Sequence, residues 1–119
     1  MTTIVKKKLS ASTDGKLIKV AATATAGTLI HTSRSDTGAG QWDEIWIEAI
    51  NTDLADVVLT IEWGGTTSPD DEIIVGVPSR SGLVMVVNGL ILHNSCAVRA
   101  FAATANVVNI GGWVHEVTP

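Results

Sequence analysis

The sequence predicts an all-β protein: an antiparallel β-sandwich, jelly-roll-like, of about eight strands with an extended N-terminal arm. Three observations carry that prediction. Ile45, Ile47 and Ala49 alternate with Glu44, Trp46 and Glu48, while Val57, Leu59, Ile61 and Trp63 alternate with Asp56, Val58, Thr60 and Glu62. This period of two puts one face of a strand in a core and the other outside. Similar short runs recur roughly every 8–12 residues between turn-forming Gly, Pro, Asn and Asp. No segment has the length and punctuation of an ordinary helix. Residues 97–103 contain good helix formers, but Gly and Asn punctuation leaves them too short, and they read as a strand.

In chain order, residues 1–16 read as an extended basic arm ending in an Asp14-Gly15 turn, and 17–119 as one sandwich domain. Residues 17–20 and 28–31 are short strands joined by an Ala/Thr linker. Residues 33–40 are loop, with Asp36, Gly38 and Gly40 as turn formers. The runs at 45–49 and 57–63 read as antiparallel neighbours joined by a turn at Asn51 and Asp53, whose side chains bond to nearby backbone. Residues 72–77 form the next strand, stopped by Pro78. Asn88-Gly89 gives the strongest short hairpin signal, between 83–87 and 90–93. The run 83–87 is apolar on both faces and reads as a central strand buried from two sides. The chain closes with 107–117, where Gly111-Gly112 marks a bulge or the close approach of another backbone.

At 119 residues the chain is long enough for one self-sufficient core, and 45% apolar against 17% charged residues argues against disorder. So little charge hints that part of the surface is covered by copies or a partner. The net charge of −4 is unevenly spread: residues 1–34 sum to +5 and the remainder to −9. A basic leader on an acidic body suits an acidic partner or a neighbouring copy; the plain alternative is a solvated terminus. The acidic body argues against nucleic acid. Cys96 has no partner for an internal disulfide. The N-terminus lacks the apolar core of a signal peptide, and no run approaches the ~18–20 apolar residues of a membrane helix. The expectation is synthesis in the cytoplasm and no membrane partner.

Candidate chemistry is sparse. His31, His93 and His115 share no metal-ligand spacing with one another or with Cys96, so no metal is expected. Asp70-Asp71-Glu72 are consecutive, unlike the spaced ligands of a calcium loop. Ser68, Ser79, Ser81 and Ser95 lie outside any nucleophile elbow. Glu44 and Glu48 share a strand face at ~13 Å, too far for a glycosidase pair. Gly64-Gly65 lacks the Lys and helix of a phosphate loop. These readings predict no enzyme and no cofactor. Trp63 follows core parity. Trp42 and Trp46 share the outward parity of Glu44 and Glu48, where they suit a protein interface, a covering loop or a sugar-stacking site. Together with Lys6, Lys7 and Lys8, these four are the candidate partner-binding residues.

Several blocks bear a resemblance that composition does not: Asp43-Glu44-Ile45-Trp46-Ile47, Asn51-Thr52, Leu59-Thr60-Ile61-Glu62-Trp63-Gly64-Gly65-Thr66, Ser81-Gly82-Leu83, Val98-Arg99-Ala100-Phe101-Ala102, Ala105-Asn106-Val107-Val108 and Gly112-Trp113-Val114. Over roughly residues 28–117 the chain resembles small structural proteins encoded in the head-gene region of tailed bacteriophages. Such proteins are often capsid decoration (cement) proteins. The resemblance implies a β-sandwich or jelly roll, a homotrimer, and a place on the capsid surface of the virion, locking subunits of the major capsid protein. An arm of sixteen residues at ~3.3 Å each spans ~50 Å, enough to reach a neighbour. The alternative is a receptor- or carbohydrate-binding module of a phage fibre or tail, using exposed Trp residues.

Overall fold

The structure, a computed structural model, describes residues 1–35 and 40–119. Among these it contains nine strands and no helix: β1 (Thr3–Lys8), β2 (Ile18–Lys19), β3 (Thr28–Thr32), β4 (Trp42–Asn51), β5 (Val57–Trp63), β6 (Glu72–Val77), β7 (Val84–Leu92), β8 (Ala97–Ala102) and β9 (Val108–Thr118). They form two antiparallel sheets, which makes the protein a β-sandwich. Sheet A runs β1-β9-β4-β7, with β2 also on β9, and sheet B runs β3-β8-β5-β6. The pairings nest: β2 with β9, β3 with β8, β4 with β7, β5 with β6. The strands thus pair as one long nested hairpin, and the chain crosses between the sheets at every connection except β1–β2 and β5–β6.

The core lies where period-two alternation places it. Ile45, Ile47 and Ala49 of β4 are fully buried with Leu59 and Ile61 of β5, Val98, Ala100 and Ala102 of β8, and Val108, Ile110 and Val114 of β9. Trp63 is half-buried and packs against this cluster. Burying a Val, Leu or Ile side chain stabilises by roughly 1.5–3 kcal/mol, so these inner faces dominate folding. Residues 97–102 are a strand, as their surroundings require.

Four expectations are corrected. First, β4 and β5 are not neighbours in one sheet; they belong to opposite sheets with their apolar faces toward the core. The Asn51 side chain makes the crossing, donating to the carbonyls of Ala55 and Val77, both at 2.9 Å, and accepting from the Asp53 N–H at 2.9 Å. Second, Asn88-Gly89 is not a hairpin turn but a bulge within the continuous strand β7. The register with β4 steps from Ile45↔Leu90 to Trp46↔Asn88, leaving Gly89 extra at φ +77°. A positive-φ glycine serves a bulge as readily as a turn. Third, β7 is an edge strand, not a central one. Fourth, Glu62 has outward parity yet is fully buried.

Residues 3–8 of the basic leader form edge strand β1, paired with β9 from Thr3↔Thr118 to Lys8↔Trp113. All six residues of β1 are exposed, whereas Leu9, just beyond it, is buried in the core. The Ala/Thr linker lies over sheet B. Asp36 and Gly38, expected as turn formers, lie outside the described residues; Gly40 has φ +80°.

Candidate functional site

Four strands of sheet A set out their outward side chains in rows. The register aligns Ile4, Val117 and Trp42; then Lys6, His115, Glu44 and, on β7, Ile91; then Lys8, Trp113, Trp46 and Asn88; then Gly111, Glu48 and Met85. Of the candidate partner-binding residues, Lys6, Lys8, Trp42, Glu44, Trp46 and Glu48 therefore share one face. Lys7 has the opposite parity and pairs with Glu116 at 3.0 Å.

An aromatic ladder occupies the middle of this face. The Trp46 and Trp113 rings stack with centroids 5.6 Å apart and planes 8° from parallel, and His115 tilts against Trp46 at 4.6 Å. Lys6 places Nζ 5.1 Å from the Trp113 ring centroid, a cation–π contact. Behind Trp46 lies the bulge: a Cβ on Gly89 would sit 3.0 Å from its ring. Gly112 of β9, at φ +152°, lets the backbone of Trp46 approach so closely that a Cβ there would collide with the Trp46 carbonyl oxygen. Both glycines are thus fitted to Trp46. The Trp46 and Trp113 rings are thus packed against each other, with Lys6 over Trp113 and Gly89 beside Trp46.

Trp42 is placed differently. Its Nε1 donates to Glu44 Oε2 at 3.3 Å, and its ring lines a groove of about 330 Å³ with Gly40, Gln41, Ile91 and His93. This groove opens beside the exposed side chains of β7: Leu83, just before it, Met85, Leu90 and Ile91 are 58%, 43%, 47% and 53% exposed. A second groove of about 400 Å³, walled by Lys7, Lys8, Arg34 and Glu116 among others, lies at the opposite border of the sandwich.

One polar pair inside the sandwich escaped sequence reasoning. His31 of β3 and Asp43 of β4 are both buried and join the two sheets, with Nε2 2.8 Å from Asp43 Oδ2. The Ser10 N–H donates to His31 Nδ1 at 3.0 Å, so the ring proton sits on Nε2 and is donated to Asp43. Both ring nitrogens are occupied, leaving neither to accept a proton from a hydroxyl nucleophile. The signal was present: Asp43 shares the parity of Ile45 and Ile47, and an acid on a core face needs a buried partner. Which partner it finds is a long-range fact that no local pattern contains. Trp113 and His115 were missed for the same reason. Among the described residues, no group of three or more His, Cys, Asp or Glu could hold a metal ion.

No protein-family model matches the chain, and neither a curated protein nor a solved structure resembles it significantly.

Proposed function

We propose that this protein is a non-enzymatic structural component of a tailed-phage virion: a capsid decoration protein that self-associates, binds the outer surface of the major capsid shell and stabilises it. The observation that carries the reading is the flank of β7. Along this one edge of sheet A, Leu83, Met85, Leu90 and Ile91 are all exposed, the kind of apolar surface that soluble proteins ordinarily cover with a partner. The nested strand order supports a jelly roll, an architecture shared by viral capsid and lectin domains. Many copies held on one lattice gain avidity, so a modest contact per copy suffices.

The test is to load purified protein onto bare shells and follow shell rupture with temperature. Decorated shells are expected to break at a higher temperature, and Met85→Asp/Ile91→Asp protein, still folded, is expected not to bind. Equal stability of decorated and bare shells would remove the decoration role.

A receptor- or carbohydrate-binding module is the second reading, favoured by one observation: Trp42 lines a groove of about 330 Å³, within the ~300–1,000 Å³ typical of ligand clefts. It predicts glycan-array binding that Trp42→Ala abolishes and Trp46→Ala spares.

A further inference from the structure

We infer that the outer face of sheet A packs against the same face of a second copy, about a two-fold axis running along β9. The inference takes from the proposed function only that the protein self-associates, and it replaces the three-fold expected from resemblance with a two-fold.

The chain's own layout leads to it. β9 lies between β1 and β4, each about 4.8 Å away. On one side of this midline β1 presents Ile4, Lys6 and Lys8; on the other β4 presents Trp42, Glu44, Trp46 and Glu48. The register puts Ile4 level with Trp42, Lys6 with Glu44, and Lys8 with Trp46. A two-fold axis along β9 exchanges the two sides and keeps the rows level. Ile4 of one copy then meets Trp42 of the other, Lys6 meets Glu44, and Lys8 meets Trp46 with Glu44 and Glu48 flanking it. Apolar meets aromatic, and cation meets carboxylate or indole. Every contact occurs twice, as a self-complementary interface requires.

Turning the copy the other way, about an axis across the strands, would set β1 on β1 and oppose like charges. Strand directions are therefore shared between the two sheets, the arrangement in which aligned sheets pack ~10 Å apart.

Two further observations agree. Among the described residues, Lys6, Lys8, Glu44 and Glu48 have no ion partner within the chain; the ion pairs are Lys7 with Glu116 and the His31–Asp43 contact. Sheet A carries five unmatched charges, Lys6, Lys8 and Lys19 on one side of the aromatic ladder and Glu44 and Glu48 on the other. Its edges are also poor templates for another strand. β1 carries three lysines, and β7 is broken by register shifts on both sides of Trp46-Ile47. Such devices block edge-to-edge pairing and leave the face for contact with a copy.

The experiment measures mass by native mass spectrometry and association by sedimentation equilibrium, without shells. Wild-type protein is expected to be a dimer. Lys6→Glu/Lys8→Glu makes both sides of the midline acidic, and Glu44→Lys/Glu48→Lys makes both basic. Each variant alone is expected to associate at least about 100-fold more weakly, since like charges then oppose one another. Mixed one to one, they are expected to recover a heterodimer, because each acidic side now meets a basic one. Circular dichroism verifies that both variants keep the β fold, and Ile4→Asp supplies an independent break at the interface rim.

A wild-type monomer or trimer, or variants that dimerise as well as wild type, would overturn the proposal. A dimer that leaves shell stability unchanged would keep the pairing and discard the decoration role. A monomer that stabilises shells would do the reverse.

Discussion

The outer faces of the two sheets invite comparison because each carries glutamates at the outward positions of a strand. On sheet A, Glu44 and Glu48 flank Trp46 and remain accessible. On sheet B, Glu62 is fully buried, accepting from Thr25 Oγ1 at 2.5 Å and from the Gly27 N–H at 2.7 Å. Its cross-strand neighbour Arg99 donates instead to the Gly27 carbonyl at 3.2 Å, so glutamate and arginine together fasten the segment before β3 onto the sheet. The same alternation leaves the glutamates open on one sheet and Glu62 sealed on the other. Parity decides only which side of a strand a residue occupies; whether that side meets water depends on chain from elsewhere.

The comparison can be broken at its strongest point by Gly112→Ala. A Cβ there collides with the Trp46 carbonyl and forces β9 from β4, with an expected loss of about 4 kcal/mol or more in urea unfolding. Glu62→Ala comes next. It strips the acceptor from the Gly27 N–H and Thr25 hydroxyl, for an expected loss of roughly 3 kcal/mol and faster amide exchange at Gly27. Gly89→Ala strains a positive-φ position and presses on the Trp46 ring, an expected loss of about 1–2 kcal/mol read by Trp fluorescence during unfolding. The sharpest contrast is the smallest effect: Glu48→Gln should leave monomer stability within about 0.5 kcal/mol. A large loss from Glu48→Gln, or none from Glu62→Ala, would erase the distinction between the faces.

The same contrast explains what could be read from the chain alone. Strand identity and the inner faces of β4 and β5 were legible because alternation is local. So was the close approach at Gly111-Gly112, since paired glycines in a strand have few other uses. The Asn88-Gly89 hairpin failed because a turn and a bulge ask the same thing of a glycine, and only the partner strand distinguishes them. The edge position of β7 was hidden because an apolar run looks alike whether its strand lies in the middle of a sheet or at its edge. For the candidate site, parity placed Trp42, Glu44, Trp46 and Glu48 on one face. It could not show that Trp113, His115 and Lys6 complete that face, because the register joining β1, β9 and β4 spans nearly the whole chain.

The nested pairing has a consequence in time as well as in space. The innermost partners, β5 and β6, lie close in sequence, whereas Ile18 of β2 waits for Ile110 and Thr3 of β1 for Thr118. Loop-closure entropy makes distant pairings the slow ones, so assembly should begin at the β5–β6 turn and zip outward. Because β9 touches β1, β2 and β4, sheet A has no middle until that strand has been made. The Trp46–Trp113 stack is then a late event, and its fluorescence would report the final stage of folding. A nascent chain could hold a formed sheet B and still be unable to meet a partner through the face of sheet A.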